Sequence, residues 1–231
     1  MARIDKGALT KTEIITEASK QFLDKGYSNT TISAIAKALD MSPGNLTFHY
    51  PTKEHLLAVL VDMLCDFQWK RMEQEASDGV GSILAICLEL TTMVSACETD
   101  PVIRDFFISA YSSPMCLDRI RKNDAKRAQK VFATWRPDWT QRQFAEAEIP
   151  VSGIVFAALV TAGDPVPLEK RISVAMQNIL SIYGIPEQMR NLKVEKVFAM
   201  DYQNLCKQIL KDFKQFVADT NEQTFQDLLK R

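Results

Sequence analysis

The apolar positions along the chain repeat with the period of an α-helix. Ile14, Ala18 and Phe22 recur every four residues, which places them on one helical face. Gly26 follows them, and glycine is common just after the last residue of a helix. The pattern therefore predicts a first helix over residues 12–25 that buries a single face.

A tight turn joins the next two predicted helices. The second helix begins at Thr30-Thr31 with a hydroxyl available to cap it, and its apolar positions are Ile32, Ile35, Ala36 and Leu39. After Asp40-Met41 the third helix opens with Ser42 as N-cap and Pro43 at its first position, where the missing N–H removes no helical hydrogen bond. The sequence thus predicts two short helices separated by a few residues, the arrangement of a helix-turn-helix.

Helical periodicity continues to the C-terminus, without the alternating apolar pattern of β-strands. A long fourth helix is predicted from Lys53 to about Ala76 and is expected to end at Ser77-Asp78-Gly79. Proline and glycine divide the remainder into helices at 80–98, 101–111, 115–135, 139–147, 150–162, 166–183, 192–218 and 221–230. The small-residue run 157–163 predicts a fully buried helix at the centre of the body. The fold class is all-α, with a three-helix head on a larger helical bundle.

The predicted third helix, residues 43–50, has the features of a recognition helix. With Leu46 facing inward and 100° per residue, Tyr50 and His49 lie on or beside the inward side. Gly44, Asn45, Thr47 and Phe48 lie opposite, on the side that would face a major groove. Glycine permits close approach to a base edge, asparagine can pair with adenine, and threonine or phenylalanine can contact a thymine methyl group.

Over about residues 12–60 the chain resembles the TetR family of bacterial regulators. The resemblance rests on one ordered set of residues, namely Phe22, Gly26-Tyr27, Thr30-Thr31, Ile35-Ala36, Ser42-Pro43-Gly44-Asn45-Leu46, His49-Tyr50 and Lys53-Glu54-His55-Leu56-Leu57. It implies a head, residues 8–54, that binds DNA as a dimer, and a fourth helix that transmits ligand binding from a body, residues 55–231. It also implies phosphate contacts from Thr30 or Thr31, Ser42, His49 and Lys53, and base contacts near Pro43, Gly44, Asn45 and Thr47.

The recognition helix departs from the family pattern at three positions. The family commonly has tyrosine where this chain has Thr47, often a hydroxylated aromatic where it has Phe48, and usually phenylalanine where it has Tyr50. Phenolic donors to phosphate are therefore missing. We expect the operator sequence, or the balance of phosphate and base contacts, to differ from that of other members.

The composition argues against several classes of function but does not by itself indicate one. The formal net charge is −1, and residues 1–60 carry seven Lys and Arg against six Asp and Glu, so charge alone gives no sign of nucleic-acid binding. With only two histidines, the chain has few candidates for a Cys-His or Ser-His catalytic pair or for a His-rich metal site. The five cysteines are scattered along the sequence, which indicates buried thiols in a reducing compartment. The polar N-terminus resembles no signal peptide. We expect a cytoplasmic protein that is not an enzyme and needs no cofactor.

Large apolar side chains of the body suit a pocket between helices. The residues proposed to line it are Trp69, Met72, Met93, Phe107, Tyr111, Phe132, Trp135 and Phe156. Aromatic and methionine side chains favour a hydrophobic or planar small-molecule effector. A homodimer is expected through the helices near 166–183 and 192–218, whose apolar faces would otherwise pack within the chain.

Three functions are compatible with these patterns. The first is a ligand-responsive repressor that binds a palindromic operator as a dimer. The second is a helical enzyme or small-molecule carrier that keeps the head fold without regulatory DNA binding. The third, an architectural DNA-binding protein without sequence preference, is disfavoured because a chain with a pI of 6.2 lacks the required positive charge.

Overall fold

The computed structural model describes residues 5–77 and 81–230, and this part of the chain is all-α, as predicted. Its helices are α1 (Lys6–Lys25), α2 (Ile32–Ala38), α3 (Pro43–His49), α4 (Lys53–Ser77), α5 (Ser82–Thr99), α6 (Pro101–Ser112), α7 (Pro114–Phe132), α8 (Gln141–Val160), α9 (Leu168–Ile182), α10 (Glu187–Phe198) and α11 (Tyr202–Leu229). No strand occurs in these two ranges. The predicted end of the fourth helix at Asp78-Gly79 lies outside the described residues.

Side-chain caps and turns define the helices of the head. The hydroxyl oxygens of Thr31 and Ser42 accept hydrogen bonds from the first-turn amides of α2 and α3. Gly26 ends α1 with φ +93°, and Asp40 in the α2–α3 turn has φ +51°, a region that Asp tolerates better than most residues. Asp5 also caps α1, accepting from the amide of Ala8 at 3.0 Å. The first helix therefore starts at Lys6, six residues before its predicted start.

A small apolar core fixes the orientation of the three head helices. Ile14, Phe22, Ile35 and Leu46 have no exposed surface, and α4 adds Leu57 to the same core. Leu46 is the inward residue of α3, as the sequence pattern predicts. Burial of these side chains holds the outer face of α3 in a fixed position relative to α1 and α2.

Two predicted helix boundaries in the body are wrong. Helices predicted at 139–147 and 150–162 are one helix, α8, which contains Pro150. Pro150 is exposed, so water can satisfy the carbonyl group that loses its helical partner, and the helix continues. In contrast, the predicted helix 192–218 is divided. Its break lies before Asp201, whose carboxylate caps α11 at Asn204, and α11 then runs unbroken through the predicted tail helix at 221–230.

The central helix of the body is α5. It packs against every helix from α4 to α11, and twelve of its residues are buried. The run 157–163, predicted to be fully buried, instead leaves Ala157, Val160 and Gly163 exposed. By length and composition α5 and α8 could each span a membrane, but a buried core helix passes the same criterion, and 67% of the relevant α5 window is buried.

Candidate nucleic-acid interface and effector cavity

The outer face of α3 is open and apolar at its centre. The Phe48 side chain is 82% exposed, and its ring contacts the His49 ring edge-on, with 5.3 Å between centroids. Pro43, Gly44 and Asn45 are also exposed, whereas Thr47 is half-buried. The residues predicted nearest the bases therefore form one contiguous surface around the N-terminal turn of α3.

Gly44 has no evident structural requirement at its position. A Cβ atom built there would lie 4.0 Å from its nearest neighbour, the Ser42 hydroxyl oxygen. The fold would accommodate a side chain, so the absence of one leaves the backbone of α3 open to close approach from outside.

The residues predicted at phosphates do not all reach the surface. Thr31 and Ser42 are exposed and His49 is half-buried. Thr30 is only 1% exposed, and its hydroxyl donates to the Gly26 carbonyl oxygen at 2.8 Å. Of the pair Thr30 or Thr31, only Thr31 therefore presents its side chain to solvent.

Lys53 connects the start of α4 to the α1–α2 loop. Its Nζ atom donates to the carbonyl oxygens of Tyr27 at 2.8 Å and Thr30 at 2.9 Å, and lies 4.0 Å from the centroid of the Tyr27 ring. Burial lowers the pKa of Lys53, partly offset by the nearby charge of Asp105. An ammonium group has three N–H donors, so one hydrogen is not used in these two bonds.

A second connection between head and body runs through α6 and was not predicted. The Asp105 carboxylate accepts from the Ser28 amide at 2.7 Å and from the Ser28 hydroxyl. A Cβ on Gly26 would lie 2.8 Å from an Asp105 oxygen, so glycine is required there both for its positive φ and for this close approach. These residues are about 77 positions apart in sequence, and no local pattern relates them.

Two adjoining cavities lie inside the body. The larger, of about 80 Å³, lies among helices α5 to α9, and the smaller, of about 50 Å³, lies between α4, α5, α6 and α11. Of the residues predicted to line a pocket, Met93, Tyr111 and Phe132 line the larger cavity and Met72, Met93 and Phe107 the smaller.

The other three predicted pocket residues, Trp69, Trp135 and Phe156, line neither of these cavities. Each is only partly buried at the edge of the core. The Trp69 indole instead donates to Asn123 at 2.6 Å, with the Lys130 ammonium 5.2 Å from its ring centroid. Helical spacing alone could not separate such side chains from those that face the interior.

The larger cavity also contains charged groups that the sequence analysis did not identify. Glu89 from α5, Asp124 and Arg127 from α7 and Glu148 from α8 line it. Arg127 forms a two-armed ion pair with Glu89, and the Tyr183 hydroxyl donates to Glu148. Burial raises the pKa of Glu148 to about 8, with a smaller contribution from the charge of Asp124, and burial also raises the pKa of Asp124.

The comparisons with known proteins concern mainly the head. Residues 14–60 match the family described as bacterial regulatory proteins, tetR family. The HTH-type transcriptional regulator QacR of Staphylococcus aureus is 34% identical over 64 residues, which cover 26% of this chain and 34% of QacR. The chain thus matches about a third of the length of this relative.

A solved structure shows the same fold over most of the chain. SmeT, the repressor of the Stenotrophomonas maltophilia multidrug efflux pump SmeDEF, aligns over 77% of this chain and 91% of its own, with a TM-score of 0.52 and 15% identity. NalD, the secondary repressor of the MexAB-OprM multidrug efflux pump in Pseudomonas aeruginosa, aligns over 74% of this chain and 94% of its own, with a lower TM-score of 0.44 and 20% identity. Residues 14–60 are thus similar in sequence to the DNA-binding region of the tetR family of bacterial regulatory proteins, and the similarity beyond them is one of fold.

Proposed function

We propose that the protein is a cytoplasmic, non-enzymatic transcription regulator that binds double-stranded DNA by placing α3 in the major groove. The observation that supports this most directly is the outer face of α3, where Phe48 is 82% exposed beside the open backbone of Gly44. Among the described residues, the ring of this exposed phenylalanine contacts only the ring of His49. A base edge or sugar of DNA would provide a further partner.

The proposed DNA contacts form two groups, one that reaches the bases and one that reaches the phosphates. Pro43, Gly44, Asn45, Thr47 and Phe48 approach the bases at the N-terminal turn and outer face of the helix. The phosphate contacts are those of Thr31, Ser42 and His49, and of Lys53 through its remaining N–H. Thr30 contributes by holding the α1–α2 loop rather than by touching DNA.

A direct test compares DNA affinities in a gel-shift or anisotropy assay. The protein should bind a fragment from upstream of its own coding region more tightly than a scrambled fragment at physiological salt. Phe48→Ala and Asn45→Ala should reduce this preference, while Leu192→Ala, which shortens an exposed side chain on α10, should not. Equal affinity of the wild type for both fragments would reject sequence-specific regulation.

We further propose that two copies associate through the outer faces of α8 and α9. The apolar faces of 166–183 and 192–218 assigned to a dimer interface from sequence are largely intramolecular, because Ile172, Met176, Val197 and Phe213 are buried. Exposed apolar side chains remain within 166–183 at Val166 and Val174, and two more, Ile149 and Val160, lie on the neighbouring α8.

A groove of about 430 Å³ runs between α8 and α9 beside these residues. A two-fold dimer would present two copies of α3 to half-sites roughly 34–36 Å apart on one face of DNA. Val174→Arg should convert a dimer to a monomer in light scattering, and Leu192→Arg should not. A monomeric wild type at micromolar concentration would refute the dimer.

The body is proposed to respond to a small-molecule effector by releasing DNA, which makes the protein a repressor. The cavities supply a site, and α6 connects them to the head, because Phe107 lines the smaller cavity while Asp105 holds Ser28. An effector acts only by its difference in affinity for the two states. Tight ligand binding or measured turnover without any effect on DNA would favour the alternative, a carrier or enzyme with a retained head.

A further inference from the structure

The larger cavity is lined by more acidic than basic residues. Three carboxylic acids line it, Glu89, Asp124 and Glu148, with one guanidinium, Arg127. The remaining wall is formed mainly by apolar side chains from α5 to α9 together with the phenols of Tyr111 and Tyr183. A charged group in such surroundings is costly unless a partner of opposite charge stands beside it.

Arg127 already forms ion pairs with other acids of the cavity, and Glu148 is not among them. Its Nη1 atom donates to Glu89 at 3.0 Å and lies 3.5 Å from Asp124, while Nη2 donates to the second Glu89 oxygen. The Arg127 side chain is only 6% exposed. Its charge is therefore shared between the acids on α5 and α7.

Within residues 5–77 and 81–230, Glu148 forms no ion pair with a basic side chain. It is 2% exposed, and the hydrogen bond it accepts comes from the hydroxyl of Tyr183, the residue that follows α9. The charged groups that act on it from α7 are Asp124, Arg127 and Arg121, and Arg121 Nε donates instead to Ser152 at 2.9 Å. From α5 and α6, Glu89 and Tyr111 complete the polar lining.

Burial makes the neutral acid the main form of Glu148 at pH 7, because its pKa is raised to about 8. An entering cation would exchange for this proton, leaving a paired carboxylate and no change in the charge of the cavity. An entering anion would meet three acids, and Arg127, whose charge is already balanced by Glu89 and Asp124, has one donor left, the buried Nε, without a hydrogen-bond partner among the described residues. A neutral ligand could form only a hydrogen bond with the protonated carboxyl group of Glu148.

Cavity size limits the apolar part of the ligand. The larger cavity, about 80 Å³, is smaller than the roughly 150 Å³ cavity that accepts benzene in an engineered protein. The second cavity, about 50 Å³, shares Glu89 and Met93 as lining residues. Methionine is flexible and adapts to different neighbours, so movement of Met93 would join the two spaces into one elongated site.

We propose that this site binds a slender apolar chain carrying one positive charge, such as an alkylammonium ion, with its charge against the Glu148 carboxylate. The proposal rests on the effector-binding part of the proposed function and names the ligand class. It assigns Glu148 as the residue that selects positive charge and the Met93 side as the region that accepts the chain.

The test uses three probes with the same six-carbon chain, n-hexylammonium, 1-hexanol and hexanoate, and the intact protein in a titration calorimeter. At pH 7.5 hexylammonium should bind more tightly than hexanol by at least roughly tenfold, since hydrogen bonds between charged groups are stronger than neutral ones. Hexanoate should bind most weakly. Equal or tighter binding of hexanol or hexanoate, or no hexylammonium binding at millimolar concentration, would overturn the proposal.

Proton exchange provides an independent readout. Below pH 8 the affinity for hexylammonium should rise with pH by up to about tenfold per unit, as the proton that the cation displaces becomes easier to release. Glu148→Gln should abolish both this slope and the preference over hexanol, while Glu146→Gln, an exposed change on the same helix, should preserve both. A flat pH profile in the wild type refutes the exchange, and the wild-type comparison holds even if Glu148→Gln does not fold.

DNA binding without any probe is measured separately. If the probes rank as expected but no sequence-specific DNA binding is found, the regulator function fails and the ligand class stands. If specific DNA binding is found and the probes do not rank as expected, the ligand class fails and the regulator function stands.

Discussion

Lys53 connects α4 to the α1–α2 loop, and its removal gives a quantitative test of the head. Lys53→Met keeps most of the side-chain length but deletes the donors to the Tyr27 and Thr30 carbonyls and the contact with the Tyr27 ring. Two hydrogen bonds from a charged donor correspond to about 3–6 kcal/mol at the usual 1.5–3 kcal/mol each.

This figure must be reduced because the group is only partly buried and water can replace the lost donor. The pKa of Lys53 is lowered by burial, which means that desolvation of the ammonium offsets part of its favourable contacts. We therefore expect Lys53→Met to lower the free energy of unfolding by about 1–2 kcal/mol.

Urea unfolding followed by circular dichroism measures this change, with Lys37→Met on the exposed surface of α2 as the control. A loss no larger than that of the control would refute the proposed connection. The same variant tests the phosphate contact, since a lost contact should reduce the slope of log affinity against log salt by about one unit. An unchanged slope would restrict Lys53 to its structural role.

Four other substitutions or reactions test separate parts of the structure. Leu46→Ala, at a position with no exposed surface, should reduce the free energy of urea unfolding by about 3–5 kcal/mol, and a loss below about 1 kcal/mol would mean that α3 is not anchored by this residue. Asp105→Ala should cost about 1–2 kcal/mol by leaving the Ser28 amide without its acceptor, whereas the exposed Asp219→Ala should be near neutral. Burial raises the pKa values of all five cysteine thiols. At pH 7.5 these thiols should react with a disulfide reagent at least about a hundredfold more slowly in the native than in the unfolded protein. Fast labelling of the native protein would contradict their burial. Because burial raises the pKa of Glu148 to about 8, the stability that this residue contributes is present below its ordinary pKa and is lost as pH rises through about 8. The Glu148→Gln variant should therefore gain stability relative to the wild type between pH 5 and pH 8. A difference in the free energy of urea unfolding that stays constant over this range would show that Glu148 does not titrate there.

The head could be predicted from sequence because its determinants are local. Ser42 and Pro43 start α3 through backbone geometry within one turn, and Leu46 and Ile35 face inward by helical spacing alone. The inward orientation of Thr30 could not be predicted, because two adjacent threonines at a helix start have equal capping chemistry. The fold buries one and leaves the other as the cap.

The body was predicted less well because its determinants are distant in sequence. An apolar helical face packs equally well within a chain or against a second copy, so sequence could not distinguish the buried Met176 from the exposed Val174 two residues away. The Tyr183 to Glu148 bond spans 35 positions. Such pairs have no periodicity to reveal them, and an acid on an apolar helix is usually read as exposed.

Placement of α6 between the cavities and the head explains how a small internal volume could influence a distant surface. Phe107 lines the smaller cavity, and Asp105, two positions earlier on the same helix, holds the loop that precedes α2. Because packed helices shift as rigid elements, a ligand that displaces Phe107 would also displace Asp105. The bond to Ser28 must then move with α6 or break, and either outcome changes the orientation of α2 and α3 relative to the body. In the proposed effector response, the size of the ligand would therefore matter twice, once for fitting the cavity and once for the distance that α6 is moved.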